Sequence, residues 1–555
     1  TVKVGKGSES DVLSTLKDGS RKTAFAFPYQ FLSEQAQEIY YPYEEGILYY
    51  THEVDPVQDT LRWRQEHLTR ALSMPWWGVG DGKNGVMTLI ETPYDVDTVM
   101  CRFNTPKGFR ALPFQKWLPE KGKVGYERKV TYHFVKEGGY NTMAKYFREN
   151  EKKEGRFKSW KEKIKDNPEV QKLLGAPNIW IRWSTPKHMI GLINLLASEG
   201  IKAGLVACDG PTDGLKDANW RMEKSLLDTI KKHGWLYGKY HLAGWIRNFY
   251  FDTWPDMVNR CVTQENGKKY FHKDNWHKDK ENPGHYYTCP KTFNKHIMPF
   301  ARPELKNGAG YFFIDTSCTA ETLQWECWDG DHPYERKDAP EYINRGCREM
   351  NDLGLVIGSE RGKWCHTTDV HVFEGMESFL QYVYPFYGSG NKGHWVGPYM
   401  KDAPGFKDAY VGFEINQARR LPLFQLVYHD SVYCTRRWNC SPERWKEKWD
   451  YYDLQCIIYG ISQLYYFESG KHLANLPGQP NWDPKNIESM KKIHNWHKQV
   501  GFSEMLSHKI LTSDRLVQES RFANGKGVIA NFSDKSWKSP NSRRVEPMNY
   551  ITFSF

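Results

Sequence analysis

Two stretches of the sequence decide the fold: Gly310-Tyr-Phe-Phe-Ile-Asp315 and Gly354-Leu-Val-Ile-Gly-Ser-Glu360. Each runs from a glycine through apolar residues to one carboxylate, and a helix is predicted between them near 340–352. A short apolar run bounded by glycine is typical of a strand that is buried on both faces, as in a parallel sheet. A strand, a helix and a second strand in this order predict two parallel neighbours joined by a crossover helix.

The same alternation continues on both sides of this unit. Helices are predicted after Pro186, from Trp220 to His233 and at about 483–499. About eight strand–helix units over about 320 residues predict a (β/α)8 barrel spanning residues 173–503. An insertion at about 247–289, rich in aromatic residues and histidine, is expected to lie over the barrel mouth. The other strands are predicted at 178–183, 201–207, 235–246, 423–428 and 463–467, with an unclear sixth strand near 378–385.

The regions on either side of the barrel alternate with the period of strands. Residues 1–172 carry short strands separated by turns, which predicts an antiparallel β-sandwich followed by linker helices. Residues 504–555 contain a predicted hairpin around Asn524-Gly525 and a last strand at 550–555. The predicted fold class is therefore α/β: a TIM-type barrel with an N-terminal β-sandwich and a small C-terminal β region.

Composition argues against nucleic-acid binding and a membrane span, and it favours a glycan as the partner. The 555 residues carry a net charge of +10, but basic and acidic residues alternate, so no nucleic-acid-binding stripe is expected. No uncharged apolar run reaches the ~18 residues of a membrane span. Aromatic residues make up 15% of the chain, including 22 Trp and 33 Tyr, which favours a glycan as the partner because rings stack on sugar faces. The oligomeric state is not predicted.

The sequence contains no recognisable metal-binding motif. The 11 cysteines are dispersed and no CxxC pair occurs, so most are expected to be buried free thiols and a structural zinc site is not expected. The run Phe271–His277, together with His285, contains several histidines, but its spacing matches no zinc motif. No metal ligand is therefore assigned.

Two carboxylates are the predicted catalytic residues. Active sites of such barrels lie at the C-terminal ends of the strands, where Asp315 and Glu360 end two adjacent predicted strands. Their carboxyl groups could approach to about 5–5.5 Å, the separation found in retaining glycosidases. The shorter Asp315 suits the ionised nucleophile, and the longer Glu360 suits the proton donor. The alternative for either one is a hydrogen bond to the barrel loops.

Further residues that close predicted strands or follow Glu360 are candidates for substrate binding. For Asp209 the alternative is a turn before Gly210, for Trp245 a core aromatic, and for Asp430 a cap of the next segment. Glu468 also ends a predicted strand, and it is a reserve candidate for the acid. The substrate-binding candidates are Asp209, His241, Trp245, Arg361, Trp364, His429 and Asp430.

Three strings resemble glycoside hydrolase family 129 and its larger relative, family 101: Tyr311-Phe-Phe-Ile-Asp315-Thr, Ile357-Gly-Ser-Glu360 and Leu421-Pro-Leu-Phe-Gln-Leu-Val-Tyr-His-Asp430. The resemblance covers about 176–500. It implies a retaining enzyme that acts on α-linked N-acetylgalactosamine, as on mucin O-glycans. It also implies an Asp nucleophile on strand four and a Glu acid/base on strand five, which are Asp315 and Glu360 here. Residues 319–338 read as a loop inserted between them.

The resemblance carries further expectations. No cofactor is required for the chemistry, and a Ca2+ ion, structural or bound at the site, is compatible with metal sites in relatives, although its ligands are not placed. By analogy the protein is expected to be exported, to the periplasm, the cell surface or the medium, with its leader absent from this chain. Two alternatives stay open: an α-galactosidase-type barrel enzyme of other specificity, and a non-catalytic glycan-binding protein.

Overall fold

A computed structural model describes residues 36–52, 66–67, 72–182, 184–209, 224–247, 255–273, 284–318, 323–378, 412, 415–444, 446–469, 474–539 and 543–555. Its centre is a sheet of eight parallel strands, paired in chain order from one to seven, with strand eight paired to strand one. The sheet edges are strands seven and eight, so the sheet forms a nearly closed barrel. The predicted (β/α)8 fold is confirmed. Strands one to eight are Asn178–Arg182, Leu205–Asp209, Leu236–Leu242, Tyr311–Asp315, Val356–Glu360, Val372–Glu374, Tyr433–Thr435 and Leu464–Glu468.

Strand four shows why these segments are apolar throughout. Successive side chains point to opposite faces of a strand, and here both faces are buried. Tyr311 and Phe313 belong to the core inside the barrel. Phe312 and Ile314 belong to the core between the barrel and the surrounding helices. The helices of this outer layer are Pro186–Ser198, Lys224–Lys232, Phe293–Lys306, Ala339–Asp352, Trp449–Tyr459 and Lys485–Val500.

One strand prediction was wrong. Leu423–Tyr428, predicted as strand seven, is a six-residue α-helix buried on all sides. An apolar run buried on all sides carries no periodicity, so the pattern cannot distinguish a strand from a buried helix. Strands six and seven are instead the three-residue segments Val372–Glu374 and Tyr433–Thr435. Most of the segment 378–385, predicted as strand six, lies outside the described residues.

Antiparallel sheets stand on either side of the barrel in the sequence. The N-terminal strands form one sheet of five and one of three. The C-terminal hairpin is confirmed, because Val517–Phe522 pairs with Lys526–Asn531 in a four-stranded sheet. Two helices, Gly139–Lys153 and Trp160–Asp166, lead into the barrel. The other strands are Glu38–Tyr41, Ile47–Tyr50, Glu66–His67, Trp76–Gly80, Gly85–Ile90, Val96–Thr105, Gly108–Trp117, Val130–Val135, Met505–Ile510, Trp537–Lys538, Arg544–Val545 and Asn549–Ser554.

The insertion after barrel strand three forms a small sheet of its own. Its strands are Trp245–Arg247, Phe271–Lys273 and Gly284–Tyr287. The preceding Gly244 donates its backbone N–H to the carbonyl of Asp315 at 3.3 Å, so this segment adjoins the C-terminal end of strand four. Among the described residues, no helix is long and apolar enough to cross a lipid bilayer.

Candidate active site

Asp315 and Glu360 meet inside the mouth of the barrel. Strands four and five pair Ile314 with Ser359, which places the next residue of each strand side by side. Both carboxylates are buried, with 7% and 6% of their surface exposed. The two side chains lie close enough for the negative charge of Glu360 to raise the pKa of Asp315.

Tyr240 on strand three holds Asp315 from the other side. Its hydroxyl donates a hydrogen bond to Oδ2 of Asp315. The Tyr240 ring stacks on Phe313, with centroids 5.8 Å apart and planes 20° apart, and it meets Trp180 edge-on at 5.9 Å. Because these rings fix the tyrosine, its hydroxyl is a directed donor to the Asp315 carboxyl group.

Glu360 has a cationic partner. Arg437, two residues beyond strand seven, forms an ion pair with Oε1 of Glu360. The backbone N–H of Arg437 donates to Oγ of Ser378 at 3.1 Å, which anchors the turn that carries it. Glu374, at the end of strand six, lies in the same group and accepts the backbone N–H of Trp438. Burying several carboxyl groups together is costly unless a cation or a proton compensates them.

The group must hold protons at neutral pH. Burial raises the pKa of Asp315 well above its usual range, and the Glu360 charge raises it further; Tyr240 and Arg437 oppose the rise. Burial also raises the pKa of Glu374 to about 8, with Arg437 opposing and Glu360 adding to the rise. The negative charge of Glu360 disfavours a second charge on Asp315, so Asp315 holds a proton. One acid and one carboxylate side by side are the groups that general acid–base and nucleophilic chemistry need.

His241 lies on the wrong face of strand three for substrate binding. Its ring packs against Phe300 at 4.2 Å and Phe312 at 5.7 Å, beneath the helix Phe293–Lys306. Successive residues of a strand alternate faces, so Tyr240 points into the barrel and His241 points outward. The predicted role of His241 is corrected accordingly.

Arg361 and Trp364 are directed toward the N-terminal region. Arg361 pairs with Glu44 at 3.4 Å and donates its backbone N–H to the carbonyl of Glu374. Trp364 is buried and stacks on Tyr94, with centroids 6.2 Å apart. Trp364 therefore has a packing role, and its contact with substrate stays a prediction, whereas Arg361 lies beside the carboxyl group of Glu374.

His429 and Asp430 lie at the opposite end of the barrel from Glu360. They follow the helix Leu423–Tyr428 and precede strand seven, so they lie at its N-terminal end. Asp430 binds both terminal nitrogens of Arg148, at 2.7 and 2.8 Å. His429 contacts the carbonyl oxygens of Ser503 and Gly460. Their placement at the substrate site was wrong because strand seven was assigned to the wrong segment.

Asp209 and Trp245 remain candidates. Asp209 ends strand two as predicted, and its backbone pairs with Arg182 of strand one. Trp245 begins the small inserted sheet and stacks flat on His285, with centroids 4.0 Å apart and planes 6° apart. Of the predicted histidine run, His272 also packs on His285 at 4.9 Å, and 274–283 lie outside the described residues.

Sequence reasoning missed three residues of the group: Tyr240, Glu374 and Arg437. The alternation of strand three could have identified Tyr240. Residues two apart in a strand share a face, so Tyr240 lies on the same face as Leu236 and Gly238. Glu374 ends a strand too short to show any period. Arg437 belongs to a turn, and no sequence pattern indicates that it faces Glu360.

An eight-stranded barrel with paired carboxyl groups at its mouth defines a class of protein, the barrel glycosidases. The chain belongs to glycoside hydrolase family 129: the model of this family, described as glycosyl hydrolases related to family GH101, matches residues 222–521, more than half of the chain. No curated protein sequence matches the chain.

Solved structures resemble this one at low sequence identity. The α-N-acetylgalactosaminidase NagBb from Bifidobacterium bifidum, in complex with GalNAc, superposes with a TM-score of 0.70 at 17% identity, covering 91% of this chain and 81% of that one. The GH36 α-galactosidase AgaA from Geobacillus stearothermophilus gives a TM-score of 0.51 at 11% identity, covering 92% of this chain and 68% of that one. At these identities the likeness establishes the shared fold.

Proposed function

We propose that this protein is a retaining glycosidase that cleaves α-linked galactose-type residues, with Asp315 as nucleophile and Glu360 as acid/base. The observation that carries the proposal is the side-by-side placement of these two carboxyl groups at the ends of adjacent barrel strands. Family membership supports glycoside hydrolysis as the reaction class, and this placement supplies two acids for it.

The proposed reaction has two displacements. Asp315 attacks the anomeric carbon while Glu360 gives its proton to the departing oxygen, forming a β-linked glycosyl-enzyme. Glu360 then removes a proton from water, which attacks the same carbon and restores the α configuration. This requires ionised Asp315, and the hydroxyl of Tyr240 is placed to stabilise that charge.

Substrate entry must move the proton of Asp315 to Glu360. In the free protein Arg437 pairs with Glu360, and burial favours the proton on Asp315. A sugar seated between the carboxyl groups separates them and leaves Tyr240 as the donor to ionised Asp315. Arg437 then stabilises Glu360 in the step in which it acts as the base.

The proposed sugar is α-N-acetylgalactosamine, as found in mucin-type O-glycans. The proposal is supported by the fold shared with an α-N-acetylgalactosaminidase bound to GalNAc. The fold shared with an α-galactosidase keeps plain α-galactose as the second candidate. Because such glycans are extracellular, we also propose that the protein is exported.

A panel of aryl α- and β-glycosides of galactose, N-acetylgalactosamine, glucose and N-acetylglucosamine tests the proposal. Fastest release from α-N-acetylgalactosaminide is the expected result; preference for α-galactoside would select the second candidate, and no hydrolysis would indicate a glycan-binding protein. Proton NMR of the first-formed sugar should show the α anomer. A β anomer would exclude double displacement.

A further inference from the structure

Three metal-binding side chains meet outside the candidate active site. Cys289, Cys327 and His332 are all buried, and one ligand atom from each lies within 4.8 Å of the other two. Nδ1 of His332 lies 3.5 Å from Sγ of Cys327. Tetrahedral zinc with Zn–S of about 2.3 Å and Zn–N of about 2.0–2.1 Å places its donor atoms about 3.5–3.8 Å apart.

His332 presents the correct nitrogen to this cluster. Its Nε2 lies 2.8 Å from the backbone carbonyl of Asn259, which can only accept a hydrogen bond, and 3.4 Å from Oδ1 of Asp329. Nε2 must therefore carry the proton, which leaves the lone pair of the neutral ring on Nδ1, facing Cys327. A histidine that binds metal through one nitrogen and donates the other N–H to a carbonyl or carboxylate is the usual arrangement at metal sites.

The two sulfur atoms contact backbone groups of different kinds. Cys327 Sγ accepts the N–H of Thr263 at 3.3 Å, which favours its thiolate, the form that binds a metal. Cys289 directs its S–H at the backbone carbonyl of His332, 3.7 Å from Sγ, so it releases this proton when the metal binds.

The cluster joins two separate segments of the chain. Cys289, like Thr263, lies in the insertion after strand three, just before the helix Phe293–Lys306, and Cys327 and His332 lie in the loop after strand four. That loop pairs with the insertion, because Trp328 donates its N–H to the carbonyl of Thr263 at 2.8 Å. A metal ion here would therefore fasten the loop and the insertion to each other beside the end of strand four.

We propose that Cys289, Cys327 and His332 bind one Zn2+ ion, with solvent in the fourth position. Two thiolates and an imidazole are soft and borderline ligands that select zinc over Ca2+ or Mg2+. The fourth position is assigned to solvent because the part of the chain that the structure describes brings three ligand side chains together here, and Cys261, a nearby buried thiol, is not one of them. This site is separate from the carboxyl groups of the proposed reaction, so it stands whether or not that reaction is correct.

The metal content of the full-length protein, purified under reducing conditions, tests the proposal directly. Elemental analysis should give about one zinc per chain. After chelation and reloading with Co2+, the visible spectrum should show intense d–d bands of a tetrahedral site and thiolate-to-cobalt charge transfer. Restoring Zn2+ to the chelated protein should raise its melting temperature, because an ion that binds only the folded state stabilises it.

Variants locate the site. Cys289→Ser and Cys327→Ser should each lose the thiolate–cobalt absorption of their sulfur, and His332→Gln should bind zinc at least ten-fold more weakly. Cys261→Ser, the matched buried control, should keep the wild-type spectrum; loss of the bands in this variant would overturn the ligand assignment. The wild-type measurement needs no variant to fold. A Cys289–Cys327 disulfide, or protein that neither contains zinc nor takes up cobalt, would overturn the proposal.

Discussion

Arg437, which follows barrel strand seven, forms an ion pair with Glu360 at the end of strand five, across the end of strand six. Glu374, at the end of strand six, lies close enough for Arg437 to oppose the rise of its pKa. Since arginine does not lose its proton, it favours at least one negative charge among these carboxyl groups. The remaining carboxyl groups then adjust by holding protons.

Replacing Asp315 with alanine should abolish turnover and leave the fold intact. The side chain lies at the strand end, and its loss removes the covalent route, so kcat should fall by about 10³- to 10⁶-fold. The measurement is the initial rate on nitrophenyl α-N-acetylgalactosaminide, with circular dichroism to check folding. Asp352→Ala, an exposed aspartate at the end of a helix, is the control and should keep the wild-type rate. Near-normal activity of Asp315→Ala would reject the assignment.

Replacing Glu360 with glutamine should separate substrates by leaving group. A nitrophenolate departs without a proton, so a nitrophenyl glycoside should still form the glycosyl-enzyme, whereas a serine-linked glycoside should not. Hydrolysis of the intermediate loses its base, so the variant should show a burst followed by a stall.

Azide provides the complementary test of Glu360→Gln. This anion needs no deprotonation, so it should restore turnover and give the α-glycosyl azide. If both substrate types slow equally and azide has no effect, Glu360 is a binding residue. The acid would then be sought among Asp209 and Glu468, since the structure places Asp430 at the other end of the barrel.

Replacing Tyr240 with phenylalanine should shift the pH profile. The hydrogen bond from this hydroxyl lowers the pKa of Asp315, so its loss raises that pKa further. A nucleophile must be ionised; the acidic limb of kcat/KM should therefore move to higher pH, and kcat should fall about 10- to 100-fold, as for a lost bond to a charged group. Tyr433→Phe, whose hydroxyl donates to the carbonyl of Ala176, is the matched control and should leave the limb in place. If the acidic limb of kcat/KM stays at the same pH in Tyr240→Phe, the hydroxyl of Tyr240 does not control the ionisation of Asp315.

Replacing Glu374 with glutamine should change how stability depends on pH. Burial raises the folded pKa of Glu374 to about 8 from 4.5, so between these values the folded state holds a proton that the unfolded state has released. Its stabilising contribution is complete below pH 4.5 and is lost as pH rises toward 8, by about 1.4 kcal/mol per pKa unit. Urea unfolding at pH 5.5 and 8.5 should show a smaller loss of stability in Glu374→Gln than in wild type. Glu149→Gln, at an exposed glutamate, is the control: between pH 5.5 and 8.5 it should lose as much stability as the wild-type protein does.

The sequence by itself predicted the barrel and the two acids that meet at its mouth. Strands four and five are long, apolar and bounded by glycine, so their local pattern already implies burial on both faces and fixes where Asp315 and Glu360 end up. The same rule placed Asp209 at the end of strand two. These predictions depend only on residues close together in the chain, and such information is contained in the sequence.

Only the tertiary structure decided which partners surround the two acids. Strands six and seven have three residues each, too few to show a period, and the apolar run chosen for strand seven is a buried helix. Arg437 reaches Glu360 across 77 positions of the chain, and Cys289 meets Cys327 and His332 without any zinc spacing. Contacts between distant segments depend on how the strands close into a barrel and on how loops pack over it. No local pattern of residues encodes that packing, because its energy arises from surfaces that meet only once the chain is folded.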